Sequence, residues 1–143
     1  MDKFVWIIRG TVVRIVDADT IVADLDLGFN VWLKNQFIRL YCINTPEVRG
    51  PEKVFGKPAK AFLEKILPVG TEICVSSHEW GKYGRIIGEV GFQSPEYDFY
   101  IDFLSDFLIE NGYGKRWLPG EPKPTFDLNE EYPLKGPENW RNE

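Results

Sequence analysis

A chain of 143 residues, 43% hydrophobic and 15% aromatic, is long enough for one domain with its own core and too apolar to stay disordered. Its longest apolar runs, such as Phe4 to Ile8, are too short to span a bilayer, which excludes a transmembrane helix. The net charge of −5 argues against a polyanionic partner until it is divided along the chain: residues 33–85 carry 9 basic and 5 acidic side chains, and a phosphate backbone feels charge only within a Debye length of about 8 Å.

The start M-D-K-F-V-W-I-I-R-G lacks the pattern of a secretory signal, so the expected location is cytoplasmic, with an exported form that has shed its signal as the alternative. No membrane contact is expected, and a monomer. Cys42 and Cys74 both fall in apolar alternating runs and read as buried thiols; with one histidine, His78, and no close spacing they cannot build a zinc site.

Residues 4–16 are β-branched and aromatic and predict a long first strand, with Gly10 placed for a bulge or bend. After the turn Asp17-Ala18-Asp19, the alternation from Thr20 to Leu27 puts Ile21, Ala23, Leu25 and Leu27 on the core face. Gly28 to Asn30 turns the chain into a strand over Val31–Ile43, which halts at Asn44-Thr45-Pro46 and leaves Glu47 beyond a rigid turn. Pro58 suits the first turn of a helix whose apolar face is Phe55, Ala59, Phe62, Leu63, Ile66 and Leu67. Strands over Thr71–Ser77 and Arg85–Phe92 flank a tight turn at Trp80–Gly84. A second helix is predicted over Phe103–Asn111, with Phe103, Leu104, Phe107 and Leu108 on one face and Gly112 as its left-handed stop. Five of the ten prolines lie in residues 119–143, which excludes a long terminal helix there and predicts an extended tail that lies on the domain through Phe126, Tyr132 and Trp140 or is partly disordered.

Three strands, a helix, two strands and a helix give an α+β fold: a five-stranded Greek-key barrel of the OB type with two helices over residues 1–118, followed by the proline-rich tail, 119–143.

Three short pieces stand at strand ends or turns: Asp17-Ala18-Asp19-Thr20, Arg39 with Asn44-Thr45-Pro46-Glu47, and Gly81-Lys82-Tyr83-Gly84-Arg85. Phosphodiester cleavage needs a group to take the proton of the attacking water, neutralisation of the charge that builds on phosphorus, and positioning of both. Glu47 can orient or deprotonate water. Arg39 and Arg85 can fork hydrogen bonds onto phosphate oxygens. Asp19, the Asn44 side-chain oxygen and the Thr45 carbonyl are hard donors suited to Ca²⁺ or another divalent cation. Each piece has a plainer reading. D-A-D-T alone reads as an ordinary Asx turn before it reads as a metal site, T-P-E as a turn, and G-K-Y-G-R as a hairpin. G-P-E-K-V-F-G-K is not a phosphate loop, because Pro58 stands where Ser or Thr is required. The co-occurrence of all three pieces favours chemistry.

In that order, V-D-A-D-T, I-R-L-Y-C-I-N-T-P-E and K-Y-G-R resemble the staphylococcal nuclease (thermonuclease) family over roughly residues 11–117. The resemblance implies an OB-type barrel with added helices and Ca²⁺-dependent hydrolysis of DNA and RNA toward 3′-phosphate products. By position Asp19 is similar to the family's metal-binding aspartate, Arg39 and Arg85 to its phosphate-binding arginines, and Glu47 to its general base. Asp17 resembles an outer-shell acid, and Tyr83, with Lys82 beside it on the same turn, a residue next to the nucleotide. Asn44 departs from the pattern: much of the family carries a second ligand aspartate there, and one charge fewer implies weaker Ca²⁺ binding. The expectation is a metal-dependent phosphodiesterase of little base specificity acting on DNA and/or RNA. The alternatives are a catalytically weak or inactive barrel that binds nucleic acid or protein, and a structural domain whose charges pair with one another.

Overall fold

A computed structural model of the chain describes residues 6–80 and 84–135, with Trp6, Glu79 and Trp80 described by backbone alone. Residues 4 and 5 of the expected first strand, Lys82 and Tyr83 of the tight turn, and Trp140 of the tail lie outside the described residues.

Strands β1 (Trp6–Asp17), β2 (Thr20–Asp26) and β3 (Trp32–Leu40) form an antiparallel meander. Across helix α1 (Lys53–Ile66) the chain returns as β5 (Glu72–Trp80), which pairs with β1, and β6 (Ile86–Gln93), which pairs with β5. The parallel pairing of β3 with β6, Ile38 opposite Ile86 and Arg39 opposite Ile87, closes five strands into a mixed barrel. Closure leaves none of the five with an open edge. Ile21, Leu25, Ile38, Leu40, Val75, Val90 and Phe92 fill the interior, each at most 2% exposed. Helix α1 covers it with Ala59, Leu63 and Ile66, and helix α2 (Leu104–Glu110) with Leu104, Leu108 and Ile109. Among the described residues no helix is long and apolar enough to cross a membrane.

Several expectations change in detail. The third strand stops at Leu40, because Cys42 takes a left-handed backbone (φ 64°) and breaks the alternation. The chain resumes as the two-residue strand β4 (Ile43–Asn44), paired with β8 (Lys115–Arg116). Cys42 therefore sits in a turn, half-buried like Cys74, and both thiols are free. Helix α1 starts five residues before Pro58, out of a 3₁₀ turn at Gly50–Glu52. Pro58 deprives the Val54 carbonyl of its helical donor, which is tolerable because Val54 is exposed. The irregularities of β1 fall after Val12 and Ile15 and not at Gly10, where a Cβ would lie only 3.0 Å from the Asp24 carbonyl oxygen and the Leu25 side chain. In β2 the far face is also covered at Thr20 and Val22, while Leu27 is exposed. The buried face of α2 runs through Leu104, Ser105, Leu108 and Ile109, and Phe103 faces solvent. Beyond Gln93, Tyr100–Ile101 adds a short strand, β7, to β6.

The described tail is extended and docked. Phe126 is 4% exposed, Tyr132 stacks on Phe55 of α1 at 4.8 Å and donates its hydroxyl to the Tyr113 carbonyl, and the Leu134 N–H donates to the Gly112 carbonyl.

One core carboxyl bears on stability. Glu89 of β6 is half-buried beneath α2, and burial, with the charge of Asp106 nearby, pushes its carboxyl up to about 7, against the pull of hydrogen bonds from Ser105. Its Oε2 atom is buried without a partner. The folded state thus holds a proton that the unfolded chain releases from about pH 4.5, so stability falls as pH rises from there to 7 and stays lower above it. Glu89→Gln is expected to flatten that fall and to stabilise the protein at pH 8 by about 1–2 kcal/mol, since solvent at a half-buried site screens part of the full shift. Denaturant unfolding at pH 5 and pH 8 measures this, and an unchanged pH slope in the variant would refute it.

Candidate active site

The β1–β2 turn, the end of β3 and the loop after β4 meet at one end of the barrel. Thr20 lies opposite Arg39 in the β2–β3 ladder, and the Leu40 N–H donates to the Asp19 carbonyl, so the backbone itself sets Asp19 beside Arg39. The Asp19 carboxylate is almost buried. Its Oδ2 lies 3.4 Å from Nη2 of Arg39 and accepts the Thr45 N–H at 3.1 Å, and its Oδ1 accepts the Thr20 hydroxyl at 3.0 Å. Arg39 donates from Nη1 to the Leu40 carbonyl at 2.8 Å, and the Trp117 ring centroid lies 5.9 Å from its Cζ. Of its five donors, Nη1 serves the Leu40 carbonyl and Nη2 faces the Asp19 carboxylate.

Asp17 accepts the Val48 N–H, which pins the loop beyond Glu47 to the same turn. Burial raises its pKa, and the charges of Asp19 and Glu47 raise it further, a sign that three carboxylates crowd this end of the barrel. Glu47 is exposed and makes no ion pair among the described residues. Its backbone N–H donates to Oε1 of Glu52, while Oε2 of Glu52 accepts the Phe126 N–H, so one carboxylate ties the Glu47 loop to the tail. Asn44 is 4% exposed and donates its amide nitrogen to the Pro124 carbonyl at 2.9 Å, which turns its oxygen the other way. Thr45 is 1% exposed, and its hydroxyl has no hydrogen-bond partner among the described residues.

Arg85 precedes β6 by one residue. Ile87, two residues on, pairs with Arg39, so the backbone brings Arg85 near the strand that carries Arg39. Lys82 and Tyr83 are not described. Asn44, Glu47, Arg49, Glu52 and the tail residues Lys123 to Phe126 line a cleft of about 470 Å³, so the tail forms one wall of it. Glu52, Trp117 and Lys123 had no signal in the sequence, as each is brought in by contacts between segments far apart in the chain.

The family model for staphylococcal nuclease homologues matches residues 37–127. The chain belongs to the staphylococcal nuclease family. The match spans more than half of the protein and holds Arg39, Asn44 to Glu47, Arg85 and the tail wall at Lys123–Phe126, whereas Asp17 and Asp19 precede it. A comparison with curated proteins returns no match.

Membership in a nuclease family raises the question of a metal. Among the described residues no three of His, Cys, Asp and Glu are close enough to enclose an ion. The available donors are nonetheless of the hard type: the Asp19 carboxylate, the Asn44 amide oxygen and the Thr45 carbonyl, beside an unpartnered Thr45 hydroxyl and a local excess of negative charge. Oxygen donors of this type are the ones a hard divalent cation takes.

Proposed function

We propose that the protein is a Ca²⁺-dependent endonuclease that hydrolyses phosphodiester bonds of DNA and/or RNA with little sequence specificity. The observation that carries this reading is the link from Arg39 through Asp19 to Thr45, with Glu47, exposed and without an ion pair among the described residues, two residues on. In this reading Arg39 and Arg85 fork hydrogen bonds onto the phosphoryl oxygens, and Glu47 accepts the proton of the attacking water as its oxygen bonds to phosphorus. Asp19, Asn44 and Thr45 would hold the cation, with Asp17 behind them, and Lys82 and Tyr83 would meet the substrate. When bound, the cation supplies charge neutralisation at the phosphoryl group. Contacts of this kind go to phosphate and carry no base information.

A second reading, a barrel of the same family that binds nucleic acid or protein without cutting, is favoured by Asn44, whose amide is engaged by the tail. Plasmid and single-stranded DNA incubated with Ca²⁺ or with chelator decide between them. Cleavage that chelator abolishes is expected; binding without cleavage under any divalent cation would leave only the second reading.

Asn44→Asp probes the donor set. It adds a charge for the cation, and it also sets a carboxylate oxygen against the Pro124 carbonyl in place of a hydrogen bond. Ca²⁺ binding should tighten, while stability without Ca²⁺ should drop by about 1–2 kcal/mol as the tail loosens. An unchanged Ca²⁺ titration midpoint would mean that residue 44 is no ligand.

A further inference from the structure

Helix α1 carries Lys53, Lys57 and Lys60 at spacings of four and three, which puts them on one face over roughly 10 Å. With Arg49, Val48, Gly50 and Glu64 they line a groove of about 680 Å³. Of the five other described lysines, four are ion-paired, Lys34 with Asp24, Lys65 with Glu96, Lys115 with Glu130 and Lys135 with Glu131, and the fifth, Lys123, lies over the Trp117 ring. Among the described residues, no carboxylate lies within ion-pair distance of Arg49, Lys53, Lys57 or Lys60. Against these four cations the groove sets one acid, Glu64, with Asp17 acting on Lys60 from the barrel end, so the surface keeps an excess of positive charge and gains most from a partner with a row of negative charges. Arg49 lines both this groove and the Glu47 cleft, so the two are neighbours on the surface. None of the groove's lining residues is aromatic, so it offers charge to a backbone and no ring for a base to stack on.

We propose that this groove is a second subsite, which holds the backbone of a polynucleotide strand as it leaves the Glu47 cleft. It rests on the reading of that cleft as a nucleic-acid site, and it makes affinity depend on strand length and salt but not on sequence.

The test uses the full chain in chelator, where binding is read without cleavage, with fluorescent dT3 and dT12 titrated from 50 to 200 mM salt. The native protein should bind dT12 more tightly than dT3. The variant Lys53→Gln/Lys57→Gln/Lys60→Gln should lose most of that gain, roughly tenfold at low salt, and its salt slope for dT12 should fall by about 2, close to 0.7 for each lost phosphate contact. Lys34→Gln/Lys65→Gln/Lys135→Gln changes net charge equally and should keep both. Lys53→Gln/Lys57→Gln, confined to two exposed side chains, should show the same loss in part. The proposal is overturned if the native protein gains nothing from length, if the groove variant retains the gain, or if the control loses as much. Tighter binding of a polyglutamate peptide than of dT12 would assign the groove to an acidic protein surface and overturn it too. A native protein that binds with this length dependence but never cleaves would remove the proposed activity and leave the groove standing.

Discussion

Arg39→Ala is expected to lower phosphodiester cleavage by about 10²–10³-fold, the usual cost of removing one preorganised donor to transition-state charge. Two properties of Arg39 are lost together. Its guanidinium is held at the barrel end by the Leu40 carbonyl and the Trp117 ring, so it loses little freedom when it meets a phosphate. It also neutralises Asp19, whose side chain is only 10% exposed. Removing Arg39 leaves that carboxylate nearly buried and unpaired, which should destabilise the fold by about 2–3 kcal/mol as well. The double variant Arg39→Ala/Asp19→Asn separates the two effects. It removes the stranded charge and should recover stability, but not cleavage. Arg39→Lys keeps the charge but cannot fork, and should fall between native and alanine. Cleavage rates per folded molecule, with unfolding curves for each variant, provide the measurement. Activity within threefold of native for Arg39→Ala would remove Arg39 from the site.

Where local pattern decides structure, the sequence was legible. Alternation located β1, β2, β5 and β6, and the apolar stripe of α1 packs as its spacing required, with Ala59, Leu63 and Ile66 buried. Closure of the barrel followed from the order of elements. The errors fall where a local rule met a stronger contact. Alternation through Cys42 suggested a continuous strand, yet the pairing of Asn44 with Lys115 pulls the chain into a left-handed turn there. A proline suggested a helix start, yet the 3₁₀ turn had already begun the helix five residues earlier. Docking of the tail through Phe126 was legible, but not that the tail walls a cleft, since that depends on Asn44 reaching Pro124, 80 residues away, and on Glu52 holding Phe126. The site is legible in part for the same reason. Arg39 and Asn44 to Glu47 stand close in sequence, and Asp19 is joined to them by a ladder and by the Thr45 N–H, but the sequence gives no hint of the neighbours that tail and loop supply. The excess of basic residues over 33–85 was visible. Three of them, Lys53, Lys57 and Lys60, share a groove by helical spacing, whereas Arg49 reaches the same groove from ahead of the 3₁₀ turn, which no spacing in the sequence signals.

Gly56→Ala should destabilise the protein by about 3 kcal/mol or more, lowering its melting temperature by roughly 10 °C. In an open helix the same change would stabilise by about 0.5–1 kcal/mol, because alanine loses less entropy on ordering. The sign reverses here because Gly56 is buried at the point where α1 meets the loop after β4. A Cβ built on it would lie 1.9 Å from the Glu47 carbonyl oxygen, 2.3 Å from its carbon and 2.7 Å from the Val48 nitrogen. All three are backbone atoms and cannot swing aside as a side chain would. Either the helix lifts, uncovering Ala59 and Leu63, or the loop moves and carries Glu47 and the Val48 N–H away from Asp17. Both routes disturb the site, since a displacement of about 1 Å at a catalytic carboxylate can cost on the order of 10² in rate. Cleavage assayed well below the variant's melting temperature should therefore fall even in molecules that remain folded. A Gly56→Ala protein as stable as the native one would show that α1 does not set the position of Glu47 through this contact.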